Sequence, residues 1–268
     1  MQVIGNPMLF RQLPLELALK EMKALGYDAL ELWAPQIAEC RTDALRRLLR
    51  SFCEDRLGLP LIRLNAADAS YFFPLRQQGD YEKILPGLLQ DVDVTAALGM
   101  PHLLTWEGRI PLGASRQDRF GWILSDTTEM FKRLTDYGHR KGVQISVEVH
   151  PFTLGMDTEW LLTLFEKVGD AAFGLTYDCC HYGVGQPDTY LAAIEQLGTH
   201  IQHIHFCDSD KTSSEVHFAP GTGRLDLEGV IAAFKKIGFA GTIMQDLWLY
   251  PFPEEGSRAG LTYIRNHF

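Results

Sequence analysis

Four short apolar segments of this chain each carry, at or near their end, a side chain that readily binds metal ions. The segments are QISVEV, FGLTYD, IQHIHF and GTIMQDL, and the side chains are Glu148, Asp178, His205 and Asp246. Each segment has the length of a buried strand, and stretches with helical spacing lie between them. This alternation predicts a (β/α) barrel, in which parallel strands bring their carboxyl-terminal residues to one shared mouth. Three carboxylates and one imidazole at that mouth predict a site for one divalent cation, with coordination positions left open for a substrate.

The rest of the chain fits the same architecture. The helical stretch LELALKEMKALGYD stops at Gly26, and LEGVIAAFKKIGF starts after Asp226, a plausible N-cap. A doubly wound open sheet is the main rival, but it usually has a glycine-rich phosphate loop after its first strand, and VIGNPMLF offers none. We therefore expect an α/β fold with a single (β/α)8 TIM barrel domain over residues 1–268. The eight predicted strands are VIGN (Val3 to Asn6), ALELW (Ala29 to Trp33), LIRLNA (Leu61 to Ala66), HLLTW (His102 to Trp106), QISVEV (Gln144 to Val149), FGLTYD (Phe173 to Asp178), IQHIHF (Ile201 to Phe206) and GTIMQDL (Gly241 to Leu247).

Length and charge agree with this fold and limit the partners. The chain has 268 residues, and a TIM barrel typically needs about 250. A formal net charge of −9 argues against nucleic-acid binding, although a local pocket can still accept a small anion. No stretch reaches the roughly 20 apolar residues of a membrane span, and the N-terminus lacks the pattern of a secretory signal. We expect a cytoplasmic protein with a small-molecule partner, without nucleic acid or membrane, and a homo-oligomer is compatible with these features.

Glu148 and Asp178 each have an alternative interpretation. Glu148 either ends its strand in water or, if buried in ISVEV, needs a metal or hydrogen-bond partner. His150 lies two residues further on, so both side chains point to the same face. Asp178 is a poor strand former and either binds the ion or caps the next element. His181, three residues later, is close enough to hydrogen-bond a substrate oxygen.

The last two candidate ligands come with neighbours of similar chemistry. His203 and His205 share one face of their strand, and His205 is the better ligand because it lies nearer the carboxyl end. His203 then belongs to the core or supports the site from behind. Asp246 is preferred over Gln245 for its charge. Gln245 replaces it if the register shifts by one residue.

Four further polar residues are secondary candidates: Glu31 in ALELW, Arg63 in LIRLNA, Glu107 in TWEG and His217 ahead of PGTGRLD. Of these, Arg63, Glu107 and His217 are expected to bind substrate. Arg63 can bind a carboxylate or phosphate, although an ordinary salt bridge explains it equally well. PGTGRLD lacks the preceding strand that a nucleotide loop requires, so it is expected to be a turn before the last helix.

Five segments together resemble the xylose-isomerase-like sugar isomerase/epimerase superfamily: GYDALELW, VEVHP, GLTYDCCH, HIHFCD and PGTGRLDLEGVIAAFKKIGFAGTIMQDLW. The resemblance covers nearly the whole chain. It implies a (β/α)8 barrel that holds one divalent ion (Mn, Zn, Co or Mg) through Glu148, Asp178, His205 and Asp246, with His181 at the substrate. It also implies a metal-dependent isomerase or epimerase of a small sugar, sugar phosphate or sugar acid. In that reaction Glu148 and Asp246 move a proton next to a carbonyl that the metal binds, through an enediolate.

Two positions depart from that family. Most relatives have Glu as the fourth ligand, where this chain has the shorter Asp246, and the ketose 3-epimerase branch has Glu where this chain has Leu154. The subfamily therefore stays open. A metal-dependent dehydratase or lyase on the same barrel begins with a similar proton abstraction. A hydrolase like the apurinic-site endonucleases, which hold three zinc ions with extra histidines, and a non-catalytic binding barrel are the remaining alternatives.

Overall fold

A closed barrel of parallel strands forms the centre of the molecule in a computed structural model, which describes residues 2–67 and 75–268. Each strand pairs in parallel with the next one along the chain, and β8 pairs with β1. This confirms the predicted (β/α)8 TIM barrel. The strands are β1 Val3–Gly5, β2 Ala29–Trp33, β3 Leu61–Asn65, β4 His102–Thr105, β5 Gln144–Glu148, β6 Phe173–Asp178, β7 Ile201–Phe206 and β8 Thr242–Gln245.

Helices connect the strands on the outside of the barrel. Within the described residues, none of them combines the length and the apolar character that crossing a membrane would need. The α-helices are α1 Leu15–Leu25, α2 Asp43–Ser51, α3 Tyr81–Ala97, α4 Arg116–Asp118, α5 Leu124–Lys141, α6 Thr158–Val168, α7 Cys179–Gly185, α8 Tyr190–Leu197, α9 Leu227–Lys236 and α10 Pro253–His267. Short 3₁₀ or π turns are Pro7–Phe10, Ala34–Ile37, Phe52–Arg56, Arg119–Ile123, Leu154–Met156 and Gly198–His200.

The strand boundaries differ from the predicted ones by at most two residues. The largest difference is in β8, which ends at Gln245, so Asp246 lies just beyond it. The strand ends there because the Asp246 side chain accepts the backbone N–H of Trp248 at 2.9 Å, which turns the chain. The helix after PGTGRLD was predicted to be the last one, and this is wrong, because α10 follows β8.

The apolar core lies between the strands and the helices. Leu19 of α1, Phe131 of α5, Leu164 of α6 and Phe234 of α9 are buried there, each with at most 1% of its surface exposed. Burial of such side chains contributes roughly 1.5 to 3 kcal/mol each. The packing therefore fixes the strands, and with them the residues at their carboxyl ends.

A polar layer fills the barrel interior at mid-strand height. We call it the polar floor, and it consists of Glu31, Arg63, Ser146, Thr176 and His203, all at most 1% exposed. Arg63 Nη1 donates to Ser146 Oγ at 2.6 Å, and Ser146 Oγ lies 3.0 Å from Thr176 Oγ1. Because these residues sit in mid-strand, the floor lies directly beneath the residues at the strand ends.

Candidate metal centre

The four candidate ligands meet at the carboxyl ends of β5 to β8. Glu148 is the last residue of β5, Asp178 the last of β6, His205 the next to last of β7, and Asp246 follows β8. Asp178 and His205 are direct partners in the strand register. One potential ligand atom from each of the four residues can be chosen so that all lie within 4.8 Å of one another, and all four residues are buried. The structure thus brings together the set that the sequence singled out.

Each carboxylate has one oxygen anchored and the other turned inward. Glu148 Oε2 accepts from Trp106 Nε1 at 2.9 Å, Asp178 Oδ1 accepts from the His181 backbone N–H at 2.7 Å, and Asp246 Oδ1 accepts from the Trp248 backbone N–H. Asp178 does cap α7, the role that was predicted as the alternative to metal binding. This cap uses only one of its two carboxylate oxygens. The remaining oxygen of each carboxylate faces a common point.

That common point is next to Nδ1 of His205. Glu148 Oε1 lies 2.5 Å from this nitrogen, Asp246 Oδ2 3.5 Å and Asp178 Oδ2 3.8 Å. The other ring nitrogen, Nε2, is 3.4 Å from Oε2 of Glu31 in the polar floor. The ring therefore presents Nδ1 to the three carboxylates and Nε2 to the barrel interior.

The surroundings of this point, within the described chain, call for a cation. Asp178 Oδ2 is buried without a hydrogen-bond partner, whereas buried polar atoms are nearly always satisfied, and His205 Nδ1 meets only carboxylate oxygens. Three carboxylates around one imidazole also concentrate negative charge away from water, which is unfavourable without a cation. Oxygen and nitrogen donors of this kind suit Zn²⁺, Mn²⁺, Co²⁺ or Mg²⁺. The residues present therefore fit a divalent ion.

The protonation of the centre reflects this crowding. Burial, with the neighbouring Glu148 and Asp246 carboxylates, raises the pKa of Asp178 to about 7 against the opposing effect of His217. Burial alone would lower the pKa of His205, but Glu148 and Glu31 outweigh it and hold that pKa well above the ordinary value. Without an ion, the centre therefore retains protons near neutral pH in place of a cation.

A cavity of about 210 Å³ opens above the centre. Of the four candidate ligands, Glu148 and Asp246 line it, while Asp178 and His205 lie beneath. The full lining in the described chain is Met8, Trp33, Asn65, Ala67, Trp106, Glu148, His150, His181, Glu215, His217, Asp246 and Trp248.

Three of the predicted substrate-binding residues line this cavity: His150, His181 and His217. His181 Nδ1 is 3.1 Å from the Val149 carbonyl oxygen, which accepts only, so this nitrogen carries the proton. Burial and the adjacent His150 lower the pKa of His181 well below its ordinary value, so the ring is neutral and its Nε2 is an acceptor. His217 Nδ1 lies 3.1 Å from Asp246 Oδ2.

Arg63 and Glu107 are placed elsewhere. Arg63 belongs to the polar floor, with Nε 3.8 Å from Glu31, and it does not line the cavity, so the ordinary ion pair describes its position better than contact with substrate. Glu107 Oε1 accepts the Gly155 backbone N–H at 2.6 Å, and burial raises the pKa of Glu107 to about 7. This contact orders the loop after β5.

Sequence reasoning did not identify the aromatic part of the cavity. Trp33 ends β2, Trp106 follows β4, and Trp248 lies two residues after Asp246. The available signal was their position, since each lies at or just beyond the carboxyl end of a predicted strand. Trp33 and Trp248 contact each other edge to face, with ring centroids 5.6 Å apart.

Comparison with known proteins gives a family match over most of the chain. The model of the family described as xylose isomerase-like TIM barrel matches residues 19–267. An inosose isomerase of Bacillus velezensis is 24% identical over 189 residues, which cover 68% of this chain and 66%, just under two thirds, of that relative. A fructoselysine 3-epimerase of Shigella flexneri is 19% identical over 244 residues, covering 86% of this chain and 84% of the relative.

A solved structure agrees with the fold. The crystal structure of IOLI protein with a bound zinc atom superposes with a TM-score of 0.81 at 19% sequence identity, covering 100% of this chain and 99% of the other. At 19% identity, this likeness shows a shared barrel fold and no more.

Proposed function

We propose that this chain, which belongs to the xylose isomerase-like TIM barrel family, is a metal-dependent isomerase or epimerase of a small sugar. One observation carries the proposal. Three carboxylates, each with one oxygen anchored, turn their other oxygen toward Nδ1 of His205 beneath a cavity. A divalent ion bound there supplies a Lewis acid that polarises a substrate carbonyl and acidifies the neighbouring C–H bond.

Glu148 and Asp246 are the candidates for moving the proton. They line the cavity, whereas Asp178 and His205 do not, so of the three carboxylates in the centre they are the two within reach of a bound molecule. Trp106 holds Glu148, and the Trp248 backbone holds Asp246. Two fixed carboxylates that remove and return a proton at one carbon perform isomerisation or epimerisation.

His181 orients the substrate in this proposal. Because its Nδ1–H is directed at the Val149 carbonyl, its neutral Nε2 is left to accept a hydrogen bond from a substrate hydroxyl. His217 lies next to Asp246 and can donate to a second oxygen of the substrate.

The cavity lining favours an uncharged sugar over a sugar phosphate or sugar acid. Among the described residues that line it there is no lysine or arginine, and the acidic side chains are Glu148, Glu215 and Asp246. Phosphate and carboxylate groups are usually bound by arginine or lysine. Trp33, Trp106 and Trp248 instead offer apolar faces to the C–H groups of a sugar. The names of the relatives, inosose isomerase and fructoselysine 3-epimerase, agree with a carbohydrate substrate.

The test is a panel of free and phosphorylated ketoses, inososes and sugar acids incubated with the Mn²⁺-loaded protein in deuterated water. We expect a free compound to be converted to an isomer or epimer with deuterium next to the carbonyl. Products lacking the elements of water would identify the dehydratase alternative instead. Turnover by protein stripped of all divalent ions, or conversion without any solvent deuterium, would contradict the proposal.

A further inference from the structure

Glu31 is the buried anion of the polar floor, and its carboxylate is held from several sides. Oε1 accepts hydrogen bonds from Asn6 Nδ2 and Asn65 Nδ2, each at 3.1 Å. Arg63 Nε lies 3.8 Å from Oε2. The carboxylate is thus held by the residue that follows β1 and by the last residue of β3, and the Arg63 guanidinium lies beside its negative charge.

Two histidine rings of β7 face the other oxygen of Glu31. Nε2 of His203 and Nε2 of His205 each lie 3.4 Å from Oε2. The second nitrogen of His203 is 2.7 Å from Thr242 Oγ1, inside the barrel. The second nitrogen of His205 faces the three carboxylates of the candidate metal centre. Of these two rings, His205 is therefore the one that links Glu31 to the centre.

We infer that Glu31 is a positioning residue for the metal centre, which holds His205 with Nε2–H donated to its carboxylate and Nδ1 turned toward the ion. The inference rests on the metal site of the proposed function. A carboxylate behind a ligating histidine fixes the tautomer and the ring orientation, and makes the ligating nitrogen more basic.

A second ion bound directly by Glu31 is the competing interpretation. Glu31, His203 and His205 also lie close enough together to form a ligand group of their own. However, the Arg63 guanidinium is 3.8 Å from the carboxylate oxygen that such an ion would use. A fixed positive charge at that distance repels a divalent cation, so the geometry favours Glu31 as a partner of the ligand rather than as a ligand.

A double-mutant cycle on metal affinity tests the inference. Mn²⁺ affinity is measured by chelator competition for the parent, Glu31→Gln, His205→Ala and the double variant. Loss of such a partner typically lowers affinity about 10- to 100-fold. We expect Glu31→Gln to have this effect in the parent and no more than about a threefold effect once His205 is gone, because coupled residues are non-additive. The inference would be overturned if Glu31→Gln lowered Mn²⁺ affinity equally in the parent and in the His205→Ala variant, or if it did not lower the affinity of the parent.

Asp126→Asn is the matched control. Asp126 is also a buried carboxylate, which accepts the Gly79 backbone N–H, but it lies on α5 away from the centre. We expect its Mn²⁺ affinity to stay within about twofold of the parent. A loss equal to that of Glu31→Gln would mean that removing any buried charge is sufficient, which would also overturn the inference.

A measurement on the parent protein covers the case in which a variant does not fold or binds too weakly. Protein with ¹⁵N-labelled histidine is loaded with Zn²⁺, and the ring nitrogens of His205 are assigned by NMR. We expect Nδ1 to show metal coordination and Nε2 to carry a slowly exchanging proton. The opposite assignment would overturn the inference. If the parent binds no ion at all, the proposed function fails; if it binds normally and Glu31→Gln equals the parent, only the inference fails.

Discussion

At the scale of single residues, Asp246 has a shorter side chain than Glu148, the other carboxylate of the centre that lines the cavity. Its Oδ2 nevertheless lies 3.5 Å from His205 Nδ1 and 3.1 Å from His217 Nδ1. Burial would raise the pKa of Asp246, but His217 and His205 outweigh it and lower that pKa, so the group is ionised. An ionised carboxylate in this position is ready to bind a cation.

Substitutions of Asp246 test its role. Asp246→Asn removes the charge, and we expect metal affinity at least about tenfold weaker together with lower turnover. Asp246→Glu keeps the charge and lengthens the side chain by one methylene, and we expect it to retain the ion and to change substrate preference. The exposed Asp188→Asn is the control. If Asp246→Asn matches the parent in affinity and activity, another group is the fourth ligand.

Glu148→Gln separates base chemistry from metal binding. The amide oxygen can still accept from Trp106 Nε1, so the side chain keeps its place. An amide does not act as a base at neutral pH, and we expect solvent exchange at the carbon next to the carbonyl to fall by about 10²- to 10⁴-fold. Proton NMR of substrate in deuterated water measures this rate. An unchanged exchange rate would assign the base to another residue.

The sequence indicated the candidate ligands but not their partners. Glu148, Asp178 and His205 stand out because polar residues at the end of apolar strands need a reason. The contact between Glu31 and His205 joins residues 174 positions apart, and no local pattern encodes it. The pattern of His203 and His205 indicated that the rings share a face, but not that both meet Glu31.

At the scale of elements, the loop between β7 and α9 depends on Asp208. Asp208 Oδ2 accepts the backbone N–H of Gly221 and Gly223 at 3.1 and 2.8 Å. Its Oδ1 accepts that of Leu225 at 3.0 Å. This loop carries His217 into the cavity, so one buried carboxylate orders a substantial part of the cavity wall.

We expect Asp208→Ala to lower the free energy of unfolding by about 3 kcal/mol or more, since each hydrogen bond to a charged group contributes about 1.5 to 3 kcal/mol. It should also raise KM while metal affinity changes little, because the candidate ligands are positioned by strands. Asp208→Asn keeps one acceptor oxygen and should lie between the two. Urea unfolding and metal titration measure both quantities. If Asp208→Ala lost as much metal affinity as His205→Ala, the loop would also position the metal ligands, which would contradict this prediction.

The positions of the strands and helices could be predicted from the sequence. Each apolar run has the length of a buried strand, and a stretch with helical spacing lies between it and the next run. The end of β8 could not be predicted in this way, because it depends on the hydrogen bond that the Trp248 backbone N–H donates to Asp246. The place of Arg63 in the polar floor also depends on a partner from another strand, because Arg63 donates a hydrogen bond to Ser146 of β5. Such neighbours are fixed by the closure of the barrel.

At the scale of the whole molecule, metal binding is coupled to protonation. The ion-free protein holds the pKa of Asp178 at about 7, above the ordinary value of about 3.9. This raised pKa stabilises the ion-free fold below about pH 4, and the contribution is lost as pH rises through about 7. Binding an ion requires the deprotonated carboxylate, so the ion competes with the proton.

We therefore expect Mn²⁺ affinity to rise with pH between about 5.5 and 7, by up to about tenfold per unit for each proton released. Above 7 the contribution of Asp178 levels off. Isothermal titration in several buffers measures both the affinity and the number of protons released. Affinity that is constant or falls over this range would contradict the protonated ion-free centre.

The central claim is that Glu148, Asp178, His205 and Asp246 hold one divalent ion. Its most direct test is a crystal structure of the protein grown with Mn²⁺, with diffraction data collected at the manganese absorption edge. We expect one strong anomalous peak beneath the cavity, from an ion bound to Nδ1 of His205 and to the inward oxygens of the three carboxylates. A map without a peak at this point, or with the ion held by other residues, would contradict the account.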